Sequence, residues 1–456
     1  MTTPFMPKPE HDQDATSAVT STDSSIAQDS RAPSPTRRRL LTGLGAGAGA
    51  LAMNWANARE AGAGKQVTDA PQAHLDQTQR YPFFGVRQQG VTTPRPASGM
   101  VVAFDVLSTD RADLERLFRT LTERIAFLTQ GGKTPETDPK FPPPDSGILG
   151  PVIAPDGLTV TVAVGASLFD ERFGLAAKKP VRLSRMRGFP NDALDEKLCH
   201  GDLLLQFCAN TPDTNIHALR DIVKNTPDLL MLRWKQEGTV PPTPAQAKGE
   251  VSSARNLLGF RDGSANPDVN DAALMNRIVW VQPSQADTNG AAEPAWAANG
   301  TYQAVRIIRN FVERWDRTPL QEQETIIGRR KASGAPLDGK KESDVPNYAR
   351  DPKGTATPLD AHIRLANDRT REASGHLLLR RPFNYSNGIA PNGQLEMGLL
   401  FIAFQSDLDK GFVAVQTKLN GEPLEEYLKP IGGGYFFVLP GATSRADYLG
   451  RAMLSA

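Results

Sequence analysis

The sequence predicts an α+β fold of two similar ferredoxin-like halves, of the dimeric α/β-barrel type, with antiparallel sheets flanked by helices. Two observations predict it. Strand-like and helix-like segments alternate in both halves of the chain, and one strand–helix junction recurs: 167–173 (SLFDERF) and 406–412 (SDLDKGF) share Ser, Asp and Phe. A recurring junction indicates duplication. Strand–helix–strand units that pair antiparallel give the ferredoxin-like arrangement.

The first half contains three strand-like segments, each followed by a helix-like one. Apolar runs over 99–106, 158–164 and 202–208 predict the strands. Apolar residues three and four apart predict a helix over 109–130, a short helix from Ser167 and a helix over 214–226.

The second half repeats this rhythm. Strands are expected over 301–308 and 399–405, with helices over 310–317 and 407–419. The glycines 432–434 are interpreted as a turn before a strand. The segments 239–248, 282–300 and 332–358 read as loops, and the last is long enough to be a candidate functional loop.

The N-terminal 58 residues are predicted to be a disordered polar region followed by a signal peptide. Arg37 and Arg38 precede a Gly/Ala-rich, weakly hydrophobic run over 42–53, and a small-x-small triplet follows at 56–58. The arginine pair resembles a twin-arginine signal, which directs folded proteins to export. We therefore expect a periplasmic protein; a basic linker before a frayed helix is the alternative.

The remaining domains follow from this interpretation. Residues 59–80 are expected to be a polar leader, 81–270 the N-terminal ferredoxin-like half and 271–456 the C-terminal half, which carries the candidate metal ligand.

Composition excludes several classes of protein. The 456 residues include 52 basic and 51 acidic side chains, a net charge of +1, which gives no basic surface for nucleic acid. A mean hydropathy of −0.39 excludes a polytopic membrane protein. Cys199 and Cys208 are too few for a disulfide framework and are expected to be free. Glu196 stands where a CxxCH motif needs cysteine, which excludes covalent haem attachment.

Three segments place reactive side chains beside glycines, arginines or apolar residues. They are 258–267 (LGFRDGSANP), 361–369 (AHIRLANDR) and 377–385 (LLLRRPFNY). Each has an ordinary explanation when taken alone. Asp262-Gly263 is typical of a turn, His362 of a histidine satisfied in the core or at the surface, and the Arg380-Arg381 pair of a solvated strand end.

Together the three segments resemble the signature of the dye-decolourising peroxidases: Gly259-x-x-Asp262-Gly263, then His362, then Arg380. The resemblance extends to 199–206 (CHGDLLLQ), 327–336 (IGRRKASGAP) and 432–437 (GGGYFF), and so covers residues 80–456. It implies an enzyme with non-covalent haem b that uses hydrogen peroxide to oxidise a broad range of one-electron donors. Its most similar members further imply release of iron from haem with the porphyrin intact, within ferrous-iron uptake.

The same resemblance implies roles for individual residues. His362 corresponds to the proximal ligand of the haem iron. Asp262 corresponds to the distal acid–base group and Arg380 to the distal guanidinium, which also contacts haem. Asp407, at the repeated strand–helix junction, is the candidate carboxylate behind His362, where it would raise the basicity of the imidazole. The implied haem-contacting positions are Gly263, Ser264, Ala265, Asn367, Asp368 and Arg369, the last as a partner for a propionate.

Other functions remain open at this point. A haem-iron lyase would use the same cofactor site. A non-catalytic haem or iron carrier serving an iron transporter would need His362 but neither Asp262 nor Arg380. A secreted α+β protein without a cofactor is the simplest alternative. The expected partners are hydrogen peroxide, haem or porphyrin, small reductants, iron-uptake components, the twin-arginine export machinery and a second copy of the chain.

Overall fold

The strands of both halves of the chain lie in one large antiparallel sheet. The computed structural model describes residues 76–241, 253–282 and 290–455. Its strands are β1 (Ser98–Val106), β2 (Gly132–Lys133), β3 (Val152–Ile153), β4 (Thr159–Gly165), β5 (Leu203–Ala209), β6 (Leu230–Thr239), β7 (Thr301–Asn310), β8 (Leu379–Arg380), β9 (Phe383–Ile389), β10 (Leu395–Gln405) and β11 (Leu428–Val438). β2 and β3 form a separate pair.

Helices connect these strands. They are α1 (Arg111–Gln130), α2 (Pro212–Asn225), α3 (Ala272–Ile278), α4 (Val312–Trp315), α5 (Leu320–Ile327), α6 (His362–Ala366), α7 (Ala414–Lys418) and α8 (Arg451–Ser455). The longest, α1, is capped by the Asp110 side chain, which accepts the N–H of Asp113 at 2.8 Å. Its apolar face is fully buried, as the spacing of its leucines predicts.

Eight of the strands close into a ring. Their order is β7-β11-β4-β5-β1-β6-β9-β10, and β10 pairs in turn with β7. Of the contacts that form the ring, β6 with β9 is the narrowest, a single pair of Thr239 with Asn384. β8 pairs with β10 beside β9, and Pro382 separates β8 from β9. Proline lacks the N–H that a continuous strand would need there.

The two halves have the same strand order, and this confirms the predicted fold class. In the first half the order is β4-β5-β1-β6, and in the second it is β9-β10-β7-β11. Numbered within each half, both read second, third, first, fourth. The exact boundary at residue 270 stays a prediction.

The core follows the alternation of strand side chains. One apolar cluster takes residues from all eight strands of the ring, among them Val101, Ala163, Leu204, Trp234, Val305, Phe383, Ile402 and Phe436. Alternate neighbours such as Val102 and Phe104 belong to a second cluster, which α1 covers. The ring is therefore filled on one face of its strands and covered by helices on the other.

Several local expectations were wrong. The glycines 432–434 form no turn but lie inside β11. A Cβ on Gly433, whose φ is +122°, would lie 2.0 Å from the carbonyl oxygen of Val305 on β7, so these glycines serve the close approach of two strands. The helix expected from Ser167 is only a 3₁₀ turn, Ala166–Leu168. The helix expected over 407–419, by contrast, is present: it begins as a π-helical turn, Asp409–Val413, and continues directly into α7.

The signal peptide and the leader up to residue 75 lie outside the described residues, as do 242–248 and 283–289 of the expected loops. Both cysteines are free and buried. Among the helices of the described ranges, none combines the length and the apolar character that crossing a bilayer requires.

Candidate active site

The three reactive segments meet around one cavity in the C-terminal part of the chain. Asp262, His362 and Arg380 all line it. The space that atoms leave empty there amounts to about 1840 Å³, its open mouth included. Apolar side chains from helices, strands and loops supply much of the wall, including Leu258, Phe260, Ile363, Leu378, Phe401 and Phe412.

Asp262 is placed by a hairpin that begins at Ser253, and we call residues 253–264 the distal hairpin. The Asn256 side chain accepts the N–H groups of Leu258 and Phe260, both at 3.1 Å, which closes the turn. The N–H of Asp262 donates to the carbonyl of Ala254 at 2.9 Å. The turn therefore returns Asp262 beside the start of the hairpin, with its side chain at the cavity.

An ion pair joins Asp262 to Arg380. The Arg380 Nη1 donates to Asp262 Oδ1 at 2.8 Å, and the two side chains are 29% and 12% exposed. Asn266 locks the two segments together, because its Oδ1 accepts from the N–H of Arg380 and its Nδ2 donates to the carbonyl of Arg380, both at 2.9 Å. Asn266 belongs to a motif of the sequence, but its role was not foreseen.

The neighbouring Arg381 binds backbone carbonyls instead. Successive side chains of an extended chain point to opposite faces. Arg381 is buried and donates to the carbonyls of Thr93 and Pro94. Asp262 and Arg380 also line a second cavity, together with Arg95, in which the atoms leave about 760 Å³ empty, its open mouth included. The ion pair thus stands between two cavities.

His362 is the first residue of α6, and a carboxylate holds its ring. Nδ1 of His362 lies 2.7 Å from Glu422 Oε2, and the Glu422 side chain is 5% exposed. Burial lowers the pKa of His362, but the charge of Glu422 and its hydrogen bond more than offset this, so the pKa lies above its ordinary value. With Nδ1 engaged, Nε2 is the nitrogen available to a ligand in the cavity.

The carboxylate behind His362 is therefore Glu422, and the expectation for Asp407 was wrong. Asp407 Oδ1 accepts the N–H groups of Asp409 and Lys410, both at 3.0 Å, and so caps the helical segment that follows. Its Oδ2 faces Lys410 and Arg182 at 3.7 and 3.9 Å. Glu422 follows a glycine in the connection to β11, with no motif or spacing that ties it to His362.

Most of the other predicted haem-contacting positions also line the cavity. They are Gly263, Ser264, Ala265, Asn367 and Arg369. Asp368 lies between two of them without lining it. Its carboxylate accepts from the N–H and hydroxyl of Thr370 and pairs with Lys418 at 3.6 Å.

The lining of the cavity fits a flat apolar ligand that carries carboxylates and a metal ion able to bind the His362 imidazole. Arg329, which sequence reasoning did not single out, lines it and is 5% exposed. Burial lowers the pKa of this guanidinium. Its Nη1 donates to the carbonyls of Gly334 and Glu342, and within the described ranges no carboxylate forms an ion pair with it. Arg329 and Arg369 therefore suit the propionates of haem. No group of three or more metal-binding side chains occurs in the same ranges. The imidazole of His362, oriented by Glu422, would hold the iron of haem.

Family models match both halves of the chain. The model described as "Dyp-type peroxidase, N-terminal" covers residues 88–239, and that described as "Dyp-type peroxidase, C-terminal" covers residues 253–443. The chain belongs to the Dyp-type peroxidase family. It is 56% identical over 428 residues to a deferrochelatase of Yersinia pseudotuberculosis, covering 94% of this chain and 97% of that protein. A deferrochelatase of Escherichia coli O6:K15:H31 is 57% identical over 423 residues, covering 92% and 97%.

Solved structures agree with this assignment. Ferric DtpA from Streptomyces lividans is 32% identical and superposes with a TM-score of 0.73 over 85% of this chain and all of that one. The family membership establishes a Dyp-type peroxidase/deferrochelatase enzyme with a haem cofactor. The cavity that Asp262, His362 and Arg380 line is the candidate site for this haem.

The Glu422 assignment predicts a weaker haem site when that carboxylate is neutralised. We expect Glu422→Gln to weaken haemin affinity or peroxide reactivity about 10- to 100-fold, since outer carboxylates orient the ligand and raise its basicity. The ferric/ferrous potential should rise as the imidazole becomes a poorer donor. A haemin titration measures the affinity, and a spectroelectrochemical titration measures the potential. Asp407→Asn, which keeps a helix cap, is the matched control; if it matched Glu422→Gln, the assignment would be wrong.

Proposed function

We propose that this protein is a haem peroxidase that uses Asp262 and Arg380 to cleave hydrogen peroxide and oxidises a broad range of one-electron donors. The observation that carries the proposal is the placement of the Asp262–Arg380 ion pair and the His362–Glu422 pair on one cavity. A carrier that only holds haem needs the second pair and has no use for the first.

The chain's own residues supply proton transfer and charge stabilisation. Asp262 Oδ1 accepts a hydrogen bond from Arg380, so Oδ2 is free to act as the base. It takes a proton from one oxygen of hydrogen peroxide and returns it to the other oxygen, which leaves as water. Arg380 stabilises the negative charge on the departing oxygen, because its guanidinium is already held in place. Bound haem supplies the electrons for cleavage of the O–O bond and then draws electrons from reductants.

Replacing either distal residue should slow the reaction with peroxide while haem still binds. We expect a loss of about 10²–10⁴ for Asp262→Asn and of about 10²–10³ for Arg380→Leu in stopped-flow mixing with peroxide. The haemin Soret titration should still saturate at one haem per chain. Asp268→Asn, at an exposed neighbour, is the control. If both variants kept full turnover, the distal assignment would be wrong.

Release of iron from haem is the second proposed activity. Two relatives are named deferrochelatases. The reaction exchanges the iron ion for two protons on the ring nitrogens, so it needs an acid beside the ring. Glu425 lines the cavity, and its buried Oε1 has no hydrogen-bond partner among the described residues. We assign Glu425 as the acid for this exchange, since the proposed peroxidase steps do not use it.

Glu425→Gln should separate the two activities. We expect the yields of free-base porphyrin and of released iron to fall about tenfold or more, since a general acid contributes at least that much. Fluorescence measures the porphyrin, and a chelator captures the iron. The reaction with peroxide should be unchanged. Glu426→Gln, at the exposed neighbour, is the control. Equal porphyrin yield from Glu425→Gln and the unaltered protein would remove Glu425 from the reaction.

We further propose that the protein acts in the periplasm, where it provides iron to ferrous-iron uptake. The arginine pair at 37–38 ahead of a weakly hydrophobic run supports export in the folded state. Replacing both arginines by lysine should leave the protein in the cytoplasm, because lysine keeps the charge but loses the feature that the receptor reads. Cell fractionation measures this. Unchanged export would exclude the twin-arginine route.

A further inference from the structure

A carboxylate from the loop 332–358 holds both ends of the distal hairpin. Glu342 Oε1 accepts the N–H of Ser253 at 3.1 Å and the hydroxyl of Ser264 at 2.8 Å, and it also accepts the hydroxyl of Ser253. Ser253 begins the hairpin, and Ser264 is its last residue, two positions after Asp262. One buried carboxylate, with its side chain 8% exposed, therefore ties the two strands of the hairpin together.

A buried arginine completes this arrangement. Arg261 Nε lies 3.7 Å from Glu342 Oε2, and Arg261 Nη1 donates to the carbonyl of Ser253 at 2.6 Å. Arg261 directly precedes Asp262, so the charge of Glu342 acts on the residue next to the acid–base group. Without Glu342, Arg261 would be a buried cation without a carboxylate, which is costly.

Glu342 is itself held from the haem side. Its carbonyl accepts from Nη1 of Arg329, which lines the haem cavity. The Glu342 side chain does not line that cavity, so it does not touch haem or peroxide bound there. Any influence on the reaction must pass through the hairpin.

We propose that Glu342 is a positioning residue for the peroxide reaction: it fixes the distal hairpin so that the Asp262 carboxylate stays against Arg380. This inference rests on the proposed role of Asp262. Proton transfer requires the donor and acceptor within hydrogen-bond distance, and a displacement of about 1 Å costs about 100-fold in rate. The loop 332–358 thereby has a function in catalysis without contributing a reacting group.

The test compares Glu342→Ala, Glu342→Gln and Asp344→Asn in the full haem-loaded protein. We expect Glu342→Ala to slow the reaction with peroxide about 100-fold while haemin affinity changes little. Glu342→Gln keeps an oxygen that can accept from Ser253 and Ser264, and should restore most of the rate. Asp344 is an exposed carboxylate of the same loop that accepts the N–H groups of Lys340 and Lys341, and its replacement should have no effect.

A double mutant shows whether the effect passes through Asp262. In an Asp262→Asn background, Glu342→Ala should cause little further loss, because residues that act as a unit are not additive. The same fold loss in both backgrounds would overturn the proposal, since a merely structural defect would be additive.

Hydrogen exchange gives a readout independent of peroxide chemistry. The amide of Asp262, which donates to Ala254, should exchange about tenfold faster in Glu342→Ala, with or without haem. Unchanged exchange would overturn the positioning role, even if the unaltered protein proved inert to peroxide. Inertness of the unaltered protein would instead refute the proposed function, while faster exchange would still show that Glu342 holds the hairpin.

Discussion

The position of β7 between β10 and β11 is the constraint on which the haem site depends. β10 carries β8 on its other edge, and β8 ends in Arg380. The connection from β10 to β11 contains Glu422, which holds His362. β7 pairs with β11 over ten residue positions and with β10 over eight. It therefore fixes the connection from β10 to β11 relative to β8. These backbone hydrogen bonds therefore set the separation between Arg380 and the Glu422–His362 pair.

Several charges at the cavity are balanced pair by pair. Asp262 is matched by Arg380, His362 by Glu422, and the buried Arg306 by Asp192. Removing one member of such a pair leaves an uncompensated charge, so each pair also fixes a geometry. Arg329 is buried at the cavity with carbonyl partners alone within the described part of the chain. A propionate of haem would supply the negative charge that Arg329 lacks.

The sequence is informative where one short segment determines the outcome. The helix α1 follows from the periodicity of its apolar residues, because only one of its faces is buried. The strands β1, β4, β5 and β7 follow from short apolar runs, because they are buried on both faces. Asp262, His362 and Arg380 lie in recognisable motifs. Glu422 and Glu342 do not stand out, because the packing of distant segments sets their partners, His362 and the distal hairpin. Arg329 lies in a recognisable segment, 327–336, but nothing in that segment shows that its side chain faces the cavity. Asp407 was chosen for its position before a helix, and that position is the reason its carboxylate is occupied by backbone N–H groups.

The two proposed reactions make opposite demands on the proximal side of the cavity. Peroxide cleavage benefits from a histidine that binds iron firmly, and Glu422 strengthens that bond by accepting from Nδ1. Release of iron requires the same bond to break while protons reach the ring. Glu422 and Glu425 belong to one short stretch of chain, yet the first favours retention of iron and the second, in our assignment, favours its release. Glu422 precedes the 3₁₀ helix Pro423–Glu426 directly, and Glu425 lies within it. A small shift of this helix would therefore change the balance between retention and release of iron without moving Asp262 or Arg380.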